Sequence, residues 1–446
     1  MKLVKSLFRS LGYELSRIPP PPPPALLKFL NGREEIFEPD IAADMGVPAQ
    51  NSFQPVYLSG PARKLIVEGW RFLPHSYAIV NQWQLLSLLR RPDVELSVRD
   101  APIYGWDWSQ QAGLFESEEE RVLKSLPVAE SDEKADLLLR LSFPLDFAPS
   151  AARRIAVFGT MEDQTIHKGL CMDFRMYDRL RRGVAPPPEV MAITPSRWSA
   201  EGFYKCGFKH EQVLVIPHGV DIGTFRPLPG LRDQVRKQLS LQKDDFVFLS
   251  IGAMTPAKGI DLLLEAFARV TRKFPQARLV LKGMNPLYDS RDRLLKMMRQ
   301  IPAADQERVA SRIRYYGSSL SNRDMALLYQ AGDAYVSPYL SEGFNMPVLE
   351  AAACGVPVVC TDGGSTDDFV TEAFAKKIRA SKVSIKSKGH DHVRLKPDVR
   401  HLTSLMMSII EDVSWRKAAA AAGPLHVQAS YSWDQVVDRL VRGLWG

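Results

Sequence analysis

Two glutamates and a lysine are the residues of this 446-residue chain best suited to chemistry. Glu342 and Glu350 bracket Gly343-Phe344-Asn345-Met346-Pro347-Val348-Leu349, and Lys258 stands well before them. Pro347 has no N–H to donate and cannot sit inside a helix, but it fits the first helical position. The spacing therefore predicts a loop at 342–345, a helix from Pro347 through the alanines, and a stop at Gly355. The unpaired N–H groups of the first turn would face the loop, backed by the positive end of the helix dipole. That setting favours an anion such as a phosphate. As a hydrolytic pair the glutamates are badly placed. Eight residues of helix would hold them about 12 Å apart, outside the roughly 5–9.5 Å used by glycosidase carboxylates. They suit gripping two parts of one elongated ligand. An acidic loop followed by a glutamate that complements the dipole explains the same spacing without a ligand.

Strands must hold this loop. Apolar runs at 334–336 and 356–360 flank it. The near-continuous apolar run 246–251 reads as a buried parallel strand. It leads into Gly252-Ala253-Met254-Thr255-Pro256-Ala257-Lys258-Gly259 and an amphipathic helix at 261–273. This is a near miss to a P-loop: the Gly before Lys258 and the Ser or Thr after it are absent, so a P-loop is rejected. Strand 278–282, helix 291–300, strand 313–316 and helix 322–331 continue an alternation that argues for a parallel sheet. Residues 362–367 read as a turn, 376–396 as basic and irregular, and 399–412 and 432–444 as amphipathic helices.

The first half repeats the theme. Strand 65–69, loop 70–76 and helix 77–90 open a doubly wound sheet, whose ligands sit at the C-terminal strand ends. His75 and Ser76 lie there, although His75 equally fits a capping or solvent-exposed role. Strands at 94–98, 136–141, 155–158, 190–194 and 213–216 follow, with a polar helix at 116–126. Thr160 and Glu162 come just after the strand at 155–158. Glu162 is either a ligand contact or a polar loop residue. A polar stretch at 228–245 reads as the link between halves.

Composition narrows the classes. With 45% hydrophobic residues the chain can build two or three domain cores. The net charge of +7 is a mild basic excess, compatible with anionic lipids or nucleotide phosphates. No basic stripe interleaved with aromatics points to nucleic acid. Four cysteines without a C-x-x-C read as reduced thiols of a cytoplasmic protein. No apolar run approaches the roughly 20 residues that span a bilayer. Lys5 and Arg9 interrupt what would be a signal-peptide core. Leu3, Val4, Leu7, Phe8 and Leu11 instead fall at helical spacing, with basic residues elsewhere on the wheel. Residues 1–18 thus suit an anionic membrane surface, or else a helix packed on its own protein or a frayed terminus. Pro19 to Pro24 form a stiff spacer. No D-x-D occurs, and His390-Asp391-His392 reads as a solvated loop, so no metal site is expected.

The run E-G-F-N-M-P-V-L-E-A at 342–351 closely resembles the E-x7-E motif of the family 4 retaining glycosyltransferases. The resemblance extends from about Phe246 to Trp433 and more loosely over the first half. There, Pro217-His218-Gly219-Val220-Asp221 with Phe225 and Pro227 is similar to the segment closing the family's N-terminal domain, with His218 for the usual Asn. It implies an α/β GT-B fold: two Rossmann-like doubly wound parallel-sheet domains with the active site in the cleft between them. The implied layout is a leading segment and linker at 1–60, an acceptor-side domain at 61–227, a nucleotide-sugar domain at 244–424 and a helix at 425–446 that crosses back.

The resemblance further implies transfer of a hexose-like sugar, with retention, from a nucleoside diphosphate donor. The acceptor would be a glycan or lipid-linked, in cell-surface polysaccharide or glycolipid synthesis. No cofactor is implied, and the setting would be cytoplasmic or peripheral on the inner membrane face. Glu342 would meet donor hydroxyls, Lys258 the diphosphate and Glu350 the ribose. Phe344, Asn345 and Met346 would offer backbone N–H groups. Gly252, Gly343, Gly317 and Gly364 would border the donor. His75, Ser76 and Glu162 would reach in from the first domain.

Three departures stand out. Asn345 replaces a usual Gly, Thr160 and Glu162 occupy the neighbourhood of a usual His, and Ala253 replaces an Arg that partners the lysine. The last either lowers turnover, is compensated by another cation such as Lys282, or marks a catalytically silent GT-B protein that binds a glycan or partner. Hydrolysis of a nucleotide sugar is the enzyme-level alternative.

Overall fold

The computed structural model describes residues 62–103, 108–184, 186–387 and 390–446. The segment 1–18 and the polyproline spacer lie outside them.

The first half alternates strand and helix. β1 (Arg63–Gly69) leads to α1 (Ser76–Leu88), β2 (Val94–Asp100), α2 (Ser117–Lys124), β3 (Leu137–Leu141) and β4 (Arg154–Phe158). α3 (Phe174–Arg181), β5 (Val190–Thr194), α4 (Arg197–Lys205) and β6 (Val213–Val215) complete it. The strands pair in parallel in the order β2-β1-β3-β4-β5-β6. Strand order reverses between β1 and β3, which makes their C-terminal ends a switch point where ligands of such sheets bind. Leu65 and Val67 pack against the helical layer on one face, while Ile66 joins a small cluster on the other. This is the period of two expected of a strand covered on both sides.

The second half repeats the plan. α5 (Arg232–Gln238) precedes β7 (Phe246–Ile251), α6 (Ile260–Lys273), β8 (Ala277–Lys282), α7 (Ser290–Met298), α8 (Ala303–Ala310) and β9 (Ile313–Tyr316). α9 (Asn322–Gln330), β10 (Ala334–Ser337), α10 (Met346–Ala353), β11 (Val358–Thr361) and β12 (Ala375–Ile378) follow. The parallel order is β12-β11-β10-β7-β8-β9, so the switch point lies between β7 and β10. A hairpin of β13 (Ala380–Ser387) and β14 (His390–Pro397) then emerges, followed by α11 (Val399–Glu411), α12 (Val413–Ser430) and α13 (Trp433–Trp445). These two doubly wound sheets make a GT-B fold.

α13 belongs to the first half's core. Its Trp433, Val436, Val437, Leu440, Val441 and Leu444 pack with residues of β1 and α1. Trp433 stacks on Trp83, and Asp438 pairs with Arg91 at 2.9 Å.

Three stretches differ from expectation. Within 376–396, expected to be irregular, residues 376–378, 380–387 and 390–396 are strand. In β14 Leu395 is buried with Val393 packed beside it, while Ala375 and Ile378 of β12 enter the cores on opposite faces of the second sheet. The polar link at 228–245 contains α5, whose Val235 is buried and whose Arg236 and Arg232 both grip Asp333. Position 425 falls inside α12, so the terminal helix starts later, at Trp433. Gly423 lets α12 approach α10, since a Cβ there would lie 2.6 Å from the Ala352 carbonyl.

Candidate active site

The helix after the glutamate loop begins at Met346, one residue before Pro347, and ends against Gly355 in a left-handed conformation. Asn345 caps it with φ +78° and ψ 62°. That backbone explains the residue: the left-handed region strongly favours Gly, and Asn is the side chain that tolerates it best. The amide also finds a place, donating from Nδ2 to Ser337 Oγ at 2.9 Å. Among the described residues, none accepts the backbone N–H of Phe344, Asn345 or Met346. The Phe344 side chain is buried and stacks on Phe369 at 4.6 Å, which anchors the loop to the segment after β11. Met346 is partly buried where the two halves' cores meet.

Lys258 and Glu342 form an ion pair. They come from the loops after β7 and β10, so the pair sits at the second sheet's switch point. The two loops touch directly: a Cβ on Gly259 would fall 2.0 Å from the Pro338 carbonyl oxygen, and Gly259 has φ +65°. Gly252 lies against the stem of Lys258, with a Cβ placed there 3.2 Å from Cε. Glu342 is 6% exposed, and Lys258 is half-buried. Burial pulls the lysine's pKa down, but its bond to Glu342 and the nearby Glu162 outweigh that, and the ammonium is held above its ordinary value.

Glu350 is the fifth residue of α10, on its second turn, and accepts from Tyr329 Oη at 2.7 Å. Burial pushes its carboxyl up to about 7, against the pull of that hydrogen bond. Glu162 reaches the pair from the first half. It is open to solvent, yet the protein walls around it raise its carboxyl to about 7, helped by repulsion from Glu342. Its backbone carbonyl accepts from Trp198 Nε1 at 2.7 Å. The neighbouring Asp163 is clamped by Arg394 of β14 at 2.9 Å, and its carbonyl accepts from Val393 N at 2.8 Å. The loops meet elsewhere too. A Cβ on Gly343 would lie 2.7 Å from Thr160, and Ser196 Oγ donates to the Gly343 carbonyl at 2.6 Å.

The remaining expected positions scatter. Gly364 packs on Tyr339 and Leu395, and Gly317 packs on Asn285 at the end of β9. His75 caps α1, accepting from Tyr77 N at 3.2 Å through Nδ1, and sits among Trp70, Tyr77 and Trp108. Burial lowers its pKa to about 4. Its capping role is therefore the one the structure displays, and Ser76 is exposed beside it. Lys282 does not stand in for a partner at Ala253: it is 2% exposed and its ammonium is tied to the Gly283 carbonyl. Burial lowers its pKa to about 8. Asp163, Ser196 and Trp198 were not singled out from the sequence, because nothing local marks a residue that works across a domain boundary. His218 carried a signal only as a departure from Asn. It is buried between Phe158, Phe344 and Trp433.

Among the described residues, no group of three or more His, Cys, Asp or Glu could hold a metal, and no helix is long and apolar enough to cross a membrane. All four cysteines are buried and unpaired.

Comparison with known proteins agrees with the architecture. Residues 232–391 match the family described as glycosyl transferases group 1. A GDP-mannose-dependent monoacylated alpha-(1-6)-phosphatidylinositol monomannoside mannosyltransferase of Corynebacterium glutamicum is 28% identical over 253 residues, 55% of this chain and 59% of that one. D-inositol 3-phosphate glycosyltransferase 1 of Catenulispora acidiphila is 31% identical over 241 residues, 53% of this chain and 52% of that one. The chain thus spans little more than half the length of these curated relatives. Among solved structures, Anabaena Alr3699/HepE in complex with UDP and glucose superposes with a TM-score of 0.62 at 15% identity, covering 86% of this chain and 99% of that one. WaaG, a glycosyltransferase involved in lipopolysaccharide biosynthesis, gives a TM-score of 0.57 at 14% identity, covering 86% of this chain and all of that one. Over residues 232–391 the chain is thus similar to the group 1 glycosyl transferases, and its architecture is that of the GT-B fold.

Proposed function

We propose that this chain transfers a hexose-like sugar, with retention, from a nucleoside diphosphate donor to a glycan or lipid-linked acceptor. The observation that carries this reading is the Lys258–Glu342 pair at the switch point between β7 and β10, with Glu350 on the adjoining helix. The diphosphate would lie against Lys258 and the unpaired N–H groups at the start of α10, where preorganised positive charge meets the charge that grows on the leaving group. Glu342 would release part of its hold on Lys258 to accept from sugar hydroxyls. Glu350 would accept from the ribose, and Glu162 would close the sugar site from the first domain. Lys258 and the helix N-terminus would supply the charge sink without a metal. The relatives named for GDP-mannose, inositol phosphate and UDP-glucose chemistry support a nucleotide-sugar donor and an acceptor in glycolipid or polysaccharide synthesis.

A second reading, a catalytically silent GT-B protein that binds a glycan or partner, is favoured by Ala253 together with the buried, engaged Lys282. One assay separates the two: release of free nucleotide from a panel of nucleotide sugars, with and without lipid and glycan extracts. Acceptor-dependent release supports transfer, acceptor-independent release indicates hydrolysis, and no release from any donor supports the silent protein.

A further inference from the structure

Large exposed apolar side chains are sparse among the described residues, yet Met172, Phe174 and Val184 fall close together in the chain. Met172 is 43% exposed, Phe174 57% and Val184 43%. They flank α3, which turns Tyr177 and Leu180 into the core and leaves Arg175, Arg181 and Arg182 outward. Residues 168–184 carry five basic side chains against two aspartates. Asp173 is used as the helix N-cap, and Asp178 lies between Arg181 and Arg182. Lys168 extends its ammonium over the Phe174 ring, 4.7 Å from the centroid.

We propose that α3 and its flanks form a docking surface for an anionic lipid bilayer. Charge and pattern select this occupant. The apolar side chains are interleaved with arginines and do not form the continuous apolar patch that a folded partner would bury. Each can enter the acyl boundary singly, while guanidinium groups stay at the level of lipid phosphates and let their stems lie along the interface. The patch also lies near the working end of the first sheet. The backbone around Met172 pairs with the loop after β3, Met172 N donating to the Leu145 carbonyl at 2.9 Å. Met172 walls a cavity of about 180 Å³ with Glu68, Arg99, Ser142 and Asp146 at the C-terminal ends of β1 to β3. This surface is separate from residues 1–18, and the inference holds whatever the chain transfers.

The test is co-sedimentation of the full-length chain with vesicles of phosphatidylcholine alone or with about 30% phosphatidylglycerol, at low and high salt. Two variants are compared: Met172→Ser/Phe174→Ser/Val184→Ser, and Arg175→Glu/Arg182→Glu. Leu425→Ser, another exposed apolar site at 67% exposure, is the control. The expected result is salt-sensitive binding that needs the anionic lipid, weakened about tenfold in both variants and unchanged in the control. Undiminished binding in either variant, an equal loss in the control, or no binding by the parent chain would overturn the proposal.

Discussion

The two sheets present their switch points with opposite chemistry. Between β7 and β10 the strand ends carry an ion pair, a helix N-terminus and a glutamate raised by burial. Between β1 and β3 the loop after β1 is aromatic and locked. Trp70 Nε1 donates to the Pro102 carbonyl at 3.1 Å, Arg71 clasps Asp100 at 2.8 Å, and His75 is spent on capping α1. The same architecture therefore presents charged groups on one side and rings and hydrogen-bonding edges on the other. The proposed reaction would be asymmetric in the same sense, with donor charge met by the second domain and the first supplying Glu162 and a shaped wall.

This contrast can be broken at its charged side. Lys258→Ala should lower turnover about 100-fold or more while changing nucleotide affinity far less, because the contact strengthens as charge develops on the leaving group. Steady-state rates with and without EDTA measure this, and activity should survive the chelator. Glu350→Ala should weaken nucleotide binding by about 1–3 kcal/mol, the scale of a lost charge-assisted hydrogen bond, as read by calorimetry. At the loop itself, Asn345→Ala should cost about 1–2 kcal/mol of stability, since Ala pays for a left-handed backbone that Gly does not. Asn345→Gly should lose only the Ser337 contact, and chemical denaturation of the two variants ranks them.

The smallest effect concerns pH. Because burial raises Glu350 to about 7 from an ordinary 4.5, the folded chain holds a proton there that the unfolded chain has released between those values. Stability from this group is thus present below about 4.5 and declines as pH rises toward 7. Glu350→Gln removes that decline, so its melting temperature relative to the parent should climb between pH 5 and about 8.

Much of the second domain was legible in the chain. Strand 246–251 is apolar throughout and matches β7 end to end, and Pro347 marked the helix start within one residue. Lys258 and Glu342 could be placed on loops at strand ends, but their direct pairing required knowing that β7 and β10 are neighbours. The hairpin at 380–397 was hidden because its lysines mask a period of two. α5 and α12 were hidden because charged or alanine-rich faces leave a weak apolar stripe. In the first domain Glu162 was visible only as a polar residue after a strand. Its raised pKa depends on Glu342, distant in sequence, and on the walls around it. The Asp163–Arg394 clamp joins residues from different domains, a relation that no local spacing encodes.

The central claim is that the β7–β10 switch point is a nucleoside diphosphate site built on Lys258, Glu342 and Glu350. Calorimetric titration of UDP, GDP, ADP and CMP into the parent chain, Lys258→Ala and Glu350→Ala tests it most directly. The account predicts that at least one diphosphate binds the parent, binds more weakly to Glu350→Ala, and is favoured over the monophosphate CMP. Absence of binding by every diphosphate, or equal affinity in the parent and Glu350→Ala, would contradict it.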